Sequence, residues 1–442
     1  MLKSDLFRTE VFPGSIPPVN NHPQNPPLGL RTEKISGTAF VGPRYNNLHT
    51  YLYRAGSSFS HSEFKQWNRD LDTANPPAPT VLTPNSYQWP TFAFPDKRDW
   101  TSQHLFASNG DPLQKTGVSF WLFNIDQDMK PQTVFASQDG EALIVPQCGV
   151  LDIQTELGRL LVRQNEIAVI PRGIRYRVTL PEGKPCRGYV CELYQGHFRL
   201  PELGIIGSTG LGHPRDFQIP TASFDGKLTD IQGHGPVAVA NSSASKWTII
   251  VRLNTKLWSC AQDSTPFNVA GWHGTLYPYK YDMARFCYLG NISYDHMDPS
   301  IYVLLTAPSF GKEPGTAVID FAPVGPHWQV AETLWVPWYH RNTMQELICP
   351  IVNRQDADFS CNKGRKFSPF GAWLNGSMVT HGSNEEEYKA WTEKDLSSPT
   401  LLQDEGITVA IFETECPLRL ADWAYDSAIK NFKSQLTAVY VE

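Results

Sequence analysis

Three of the twelve histidines, His296, His340 and His381, lie close together in the C-terminal third of the chain, and Glu346 follows His340 by six positions. Two imidazoles and one carboxylate on one face of a divalent ion leave its other positions open, the arrangement used by non-haem iron(II) oxygenases to admit dioxygen and substrate. Glu346 stands in an apolar neighbourhood, where an unpartnered carboxylate is costly to bury and a metal would satisfy it. On a continuous strand, six residues at ~3.3 Å each would hold His340 and Glu346 ~20 Å apart, too far to share one ion. The intervening RNTMQ must therefore turn, which Asn342 and Thr343 suit, and His381 in SMVTHGS would arrive from the end of a later strand. Spacing alone favours a plainer reading, in which His340 and Glu346 form a buried hydrogen-bonded couple and His381 caps a helix.

The elements that would position these groups are mostly strands. Charged residues are only 19% of the 442, beside 35 prolines and 32 glycines, a composition that fits buried sheets joined by many turns. Between Gly140 and Leu180 the apolar runs ALIV, VLDI, RLLV, IAVI and IRYRV recur at short intervals, as in an antiparallel meander or half of a jelly roll. Further strands are expected at Trp247–Leu253, Phe286–Ile292, Ile301–Leu305, Thr316–Phe321 and Ile407–Phe412. Residues 11–30 hold six prolines and read as an extended arm over a folded body. Two helices are expected near the C-terminus. One starts at the Ser383–Glu386 capping box, with Glu385 to Glu387 in its first turn; the other carries Ile429, Phe432 and Leu436 on one face.

Composition also narrows the function. The net charge of −6 is spread along the chain and no Lys/Arg run forms a phosphate-tracking stripe, which argues against nucleic acid. No uncharged apolar run approaches the ~20 residues of a membrane span, and LKSDLFRTEV after Met1 has no signal-like apolar stretch. The expectation is a soluble cytoplasmic protein. The eight cysteines are scattered without a C-x-x-C pair and read as reduced core residues.

The stretches PRDFQIPTASF, PFNVAGWHGTLYPYKY, YDHMDPSIYVLLTAPS, WYHRNTMQE and SMVTHG resemble, in this order, the homogentisate 1,2-dioxygenase family, and ISGTAF and YLYR fit the same pattern. The resemblance runs from about Gly14 to Trp423. It implies a mainly β protein: an N-terminal β-sandwich domain over residues 1–282, and a C-terminal cupin-type jelly roll over 283–442 with a few short helices. It further implies one iron(II) per chain, dioxygen as co-substrate and a homo-oligomer, trimer or hexamer. Carried onto this sequence, the iron ligands are His340, Glu346 and His381, and the proton acceptor is His296 of YDHMDP. The alternative for His296 is a core histidine bonded to Asp295 or Asp298. The N-terminal sandwich resembles a cupin barrel without its metal, since VPQCG and Tyr176 of PRGIRY stand where cupin ligands are usual. His213, His273 and His327 are expected in loop and interface packing.

Where substrate contacts are expected, the chain departs from the family. Gln355 stands where the family usually has a tyrosine facing the substrate carboxylate, and Asn375 where it has a histidine that bonds a ring oxygen. Phe370, Ala372 and Trp373 fill a usually Gly-rich run, Trp338 replaces a tyrosine before Tyr339, and the SGFGN-like N-terminal segment is absent. Trp338, Tyr339, Gln355, Trp373 and Asn375 are thus the expected substrate contacts. Hydrogen bonds that a site was built to make are worth several powers of ten in discrimination. The expectation is an iron(II)-dependent extradiol-type dioxygenase that inserts both atoms of dioxygen into a hydroquinone- or catechol-like ring other than homogentisate. Homogentisate itself, in tyrosine catabolism, is the alternative. A cupin-like metal-binding isomerase or a non-catalytic binding protein is an alternative of another class.

Overall fold

In the computed structural model of the chain, the five apolar runs after Gly140 become the strands Glu141–Cys148, Val150–Thr155, Gly158–Arg163, Glu166–Ile170 and Tyr176–Thr179. The structure describes residues 9–18, 24–40, 43, 46–67, 73–94, 98–203, 210–241, 246–288, 302–329, 340–352, 369–382, 389–390, 392–395, 397–402 and 408–429. The five strands do not share a sheet. Val150–Thr155 pairs with Gly158–Arg163 and Tyr176–Thr179 in one seven-stranded sheet, while Glu141–Cys148 pairs with Glu166–Ile170 in another. The chain crosses between layers, so it is the jelly-roll half rather than the flat meander.

Burial explains the two kinds of sequence pattern. Gly158–Arg163 (GRLLVR) alternates buried and exposed, as a strand covered on one face must. Glu141–Cys148 (EALIVPQC) is buried at every position but the last, because its sheet lies between two others. Alternate residues of this middle sheet feed two cores. Ile144, Trp121, Phe123 and Val190 pack with the first sheet. Leu143, Val145, Phe120, Leu122 and Cys191 pack with a third sheet, which carries the candidate site.

That third sheet has six described strands: β1 (Tyr87–Trp89), β2 (Leu305–Pro308), β3 (Ala317–Val324), β4 (Gln345–Val352), β5 (Ala372–Asn375) and β6 (Thr408–Thr414), in the spatial order β2-β3-β6-β4-β5-β1. Pro350, which has no N–H to give, sits beside a register shift in the β4–β6 pairing, where a proline is tolerated. Phe412 at the centre is fully buried, its ring 5.1 Å from Phe120 of the middle sheet and 5.1 Å from Phe321 of β3. Its truncation to alanine would cost about 3–5 kcal/mol.

The two halves of the chain interlock. β1, from the N-terminal half, closes the edge of the site sheet against β5, and Arg419–Leu420, from the C-terminal half, closes the edge of the middle sheet against His104–Ser108. The proline-rich arm lies on the body as expected: Ile16 and Leu30 are buried with Tyr53 and Ala270, and Val11 N–H donates to Ala270 O at 2.7 Å.

The sequence reading of the C-terminus needs correction. Ile429 bridges Gln88 in β fashion instead of lying on a helix, with Phe432 and Leu436 outside the described residues. A six-residue helix at Asp422–Ser427 was not anticipated. Lys389, Ala390 and Thr392 are helical, but the Ser383–Glu386 capping box is outside the described residues. Of the strands expected further along, Trp247–Leu253 is found with those bounds. Cys148, Cys287 and Cys416 are exposed rather than core residues; the described cysteines are all free. Among the described residues no helix is long and apolar enough to cross a membrane.

Candidate metal centre

The turn that the His340–Glu346 spacing demands is present, and a second turn braces it. Gly376 to Val379 form a tight turn, with Val379 N–H donating to Gly376 O at 3.1 Å and Met378 in the left-handed region at φ 58°. Met378 N–H donates to Asn342 O at 2.8 Å and Ser377 Oγ to Thr343 O at 2.7 Å, locking the two turns together. Beyond them His340 and His381 exchange backbone hydrogen bonds of 3.0 and 3.1 Å, a bridge that sets their rings side by side with centroids 4.3 Å apart. Among the described residues His381 therefore caps no helix.

Glu346, near the start of β4, points at both rings. Its Oε1 is 3.1 Å from His381 Nε2 and 3.7 Å from His340 Nε2, and one ligand atom from each of the three residues falls within 4.8 Å of the others. Glu346 is only 8% exposed. Burial works to raise its carboxyl, but the imidazoles of His340 and His381 beside it and the Asn375 amide hold it well below the usual carboxylate range. Asn342 Nδ2 donates to Oε1 at 2.7 Å and Asn375 Nδ2 to Oε2 at 3.2 Å.

The donor chemistry fits a cation. His381 Nδ1 lies 2.8 Å from Val379 O, a carbonyl that can only accept, so Nδ1 carries a proton and Nε2 is the nitrogen turned toward Glu346. Two acceptors 3.1 Å apart repel unless a proton or a cation lies between them. Two donors each about 2.1 Å from one ion and at right angles stand about 3 Å apart, matching this separation.

A row of polar residues extends the site across its sheet. Thr306 of β2 is opposite Asp320 of β3, Asp320 opposite Glu413 of β6, Glu413 opposite Glu346, and Glu346 opposite Asn375 of β5. Partners directly opposite share a face, so these five side chains line one side of the sheet while Leu347, Phe412, Phe321 and Leu374 pack the other. Burial pushes the Asp320 carboxyl up, against the lowering effect of the Thr306 hydroxyl. Carboxylates directly opposite each other repel, and a dication at Glu346 would offset that repulsion.

Family models described as homogentisate 1,2-dioxygenase N-terminal and C-terminal match residues 4–283 and 284–440. A curated homogentisate 1,2-dioxygenase from Emericella nidulans is 44% identical over 425 residues, covering 96% of this chain and 90% of that protein. The chain belongs to the homogentisate 1,2-dioxygenase family. It is thereby an iron(II)-dependent, aromatic ring-cleaving dioxygenase, an oxidoreductase acting on an aromatic substrate and dioxygen. Among solved structures, a cupin 2 conserved barrel domain protein from Leptotrichia buccalis covers 72% of this chain and 91% of its own, at 6% identity and a TM-score of 0.28. The bacterial pirin YhhW from Escherichia coli covers 77% and 96%, at 10% identity and a TM-score of 0.26.

Of the residues expected in a homogentisate 1,2-dioxygenase site, His340, Glu346 and His381 converge, and Trp373 and Asn375 lie on β5 on the face that Glu346 uses. His296, Trp338, Tyr339 and Gln355 lie outside the described residues. Tyr176, expected at a former cupin ligand position, is a core residue whose hydroxyl accepts from Trp100 Nε1 at 3.0 Å. His273 bonds Tyr53 Oη at 2.9 Å, and His327 bonds Gly325 O at 2.7 Å and stacks on Tyr288. Asp320 and Glu413 were missed. The alternation of AVIDFAPV and TVAIFET puts both on the polar side, but only strand order brings them beside Glu346.

Proposed function

We propose that the chain cleaves homogentisate, with His340, Glu346 and His381 holding iron(II). The observation that carries the metal assignment is the approach of Glu346 Oε1 to Nε2 of His381 at 3.1 Å, inside a triangle completed by His340. The substrate assignment rests on 44% identity to a homogentisate 1,2-dioxygenase over nearly the whole chain. It displaces the expectation of a different aromatic, which rested on Gln355, Trp338, Trp373 and Asn375. Asn375 has a second explanation, since its amide orients Glu346.

Bound at the triad, iron(II) would act as a Lewis acid and template for the ring and dioxygen. Glu346 supplies the one negative charge among the three ligands, and the backbone bridge between His340 and His381 fixes the imidazoles before any ligand arrives. His296 is assigned as the acceptor of the phenol proton, a positioned general base worth about 10²–10⁴ in rate. Residues 283–442 form the metal-binding part and 1–282 its scaffold. Oxygen uptake by the iron-loaded protein, compared across homogentisate, other hydroquinones and catechols, tests this reading. Homogentisate is expected to be the best substrate; turnover of another ring with homogentisate inert would restore the altered-substrate reading.

A further inference from the structure

Resting on that metal assignment, we infer that Asn342 and Asn375 are positioning residues that decide which oxygen of Glu346 meets the ion. A carboxylate only accepts hydrogen bonds, so each asparagine must turn its NH2 toward Glu346. They take opposite oxygens: Asn342 holds Oε1 at 2.7 Å and Asn375 holds Oε2 at 3.2 Å. Oε1 is the oxygen that approaches both imidazole nitrogens. Oε2 is drawn toward β5 instead. Neither amide is loosely placed. Asn375 is 6% exposed and directly opposite Glu346 in the sheet, and the carbonyl of Asn342 is fixed by Met378 N–H at 2.8 Å.

The consequence is a carboxylate that offers one oxygen, not two. Without the Asn375 N–H, Oε2 could swing in and occupy a second position on the ion, at the expense of the face left open by two histidines and a carboxylate. Both asparagines thus act through Glu346. The sheet supplies one and the turn the other, so the carboxylate plane is held from two independent elements.

Cobalt(II) titrations followed by visible absorption test this on the metal-free protein, comparing wild type, Glu346→Gln, Asn375→Leu and Asn342→Leu. Leucine keeps the branched shape of asparagine, is somewhat bulkier, and donates nothing. Each asparagine variant is expected to bind cobalt(II) ten- to hundredfold more weakly, the usual loss when a partner of a metal ligand is removed. At saturation, Asn375→Leu should also show altered band positions and intensities, because a second carboxylate oxygen joins the ion. A saturated spectrum identical to wild type would overturn the inference even if affinity fell, since a merely structural role changes affinity without changing coordination. If Glu346→Gln binds cobalt(II) as wild type does, the metal assignment itself fails. Should Asn375→Leu not fold by circular dichroism, Asn375→Ala, which removes the same donor without added bulk, carries the same spectral test.

Discussion

Replacing Glu346 by glutamine keeps the volume of the side chain and removes its charge, and the result should differ with and without metal. The carboxylate accepts from Asn342 on one oxygen and from Asn375 on the other. A glutamine amide has a single acceptor oxygen, so one asparagine N–H is left facing another N–H. An unsatisfied buried donor costs about 1–3 kcal/mol, and the glutamine N–H, facing His381 Nε2, can recover about 0.5–1.5 kcal/mol by donating there. The metal-free variant should therefore lose no more than about 2.5 kcal/mol of stability. With iron(II) at a hundredfold excess over its dissociation constant, the wild type gains about 2.7 kcal/mol, and the variant should gain almost none of it. Anaerobic urea unfolding with and without iron(II) measures both quantities through the shift of the midpoint. An equal iron-induced shift in the variant would refute the role of Glu346, and a metal-free variant more stable than wild type would refute the hydrogen-bond reasoning.

Four further outcomes are expected. His340→Ala and His381→Ala should abolish iron binding, whereas His296→Ala should retain iron and lose oxygen uptake; an iron-loaded, fully active His296→Ala protein would refute its assignment as base. Arg54, 2% exposed, ion-pairs with Glu33 and Glu156, and Arg54→Ala should cost about 3–5 kcal/mol by leaving buried Glu156 with only the more distant Arg175, at 4.0 Å, to offset its charge, which thermal unfolding reads directly. Burial works to lower the pKa of His197, but its hydrogen bond to Glu141 at 2.8 Å prevails and raises it. That stabilisation is at full strength below about pH 6.5 and is lost as pH rises through the raised value, a slope that His197→Gln should flatten in melting temperature against pH. The depressed carboxyl of Glu346 has the opposite sign: its stabilisation is present above about pH 4.3 and is lost as pH falls through the lower folded value. Acid unfolding of the metal-free protein should therefore shift in Glu346→Gln.

The parts of the fold legible in the sequence are those where local pattern and burial agree. Gly158–Arg163 alternates because one face is solvated, and Glu141–Cys148 runs apolar because both faces are covered. β1 could not be read: it is three residues set among prolines, made a strand only by its pairing with β5. Ile429 fitted a helical spacing with Phe432 and Leu436, yet Gln88 takes it into a β bridge, a tertiary contact that outweighs a weak periodicity. In the site, residue types marked the triad, but spacing favoured a structural couple, because the convergence depends on the backbone bridge between His340 and His381. Asn342 looked like a turn former, which it is; that its side chain also grips Glu346 has no sequence signature.

The exchanged edge strands set a schedule for biosynthesis. The edge of the middle sheet at His104–Ser108 waits for Arg419–Leu420, some 311 residues later in the chain. At the usual 5–20 residues per second, that edge stays unpaired on the ribosome for roughly 15–60 s. Over that interval its open N–H and C=O groups could template association with another nascent chain. The same closure means that a protein stopped before residue 419 would keep His340, Glu346 and His381 yet leave the neighbouring sheet unsealed, so late truncations should reduce yield in cells before they affect chemistry.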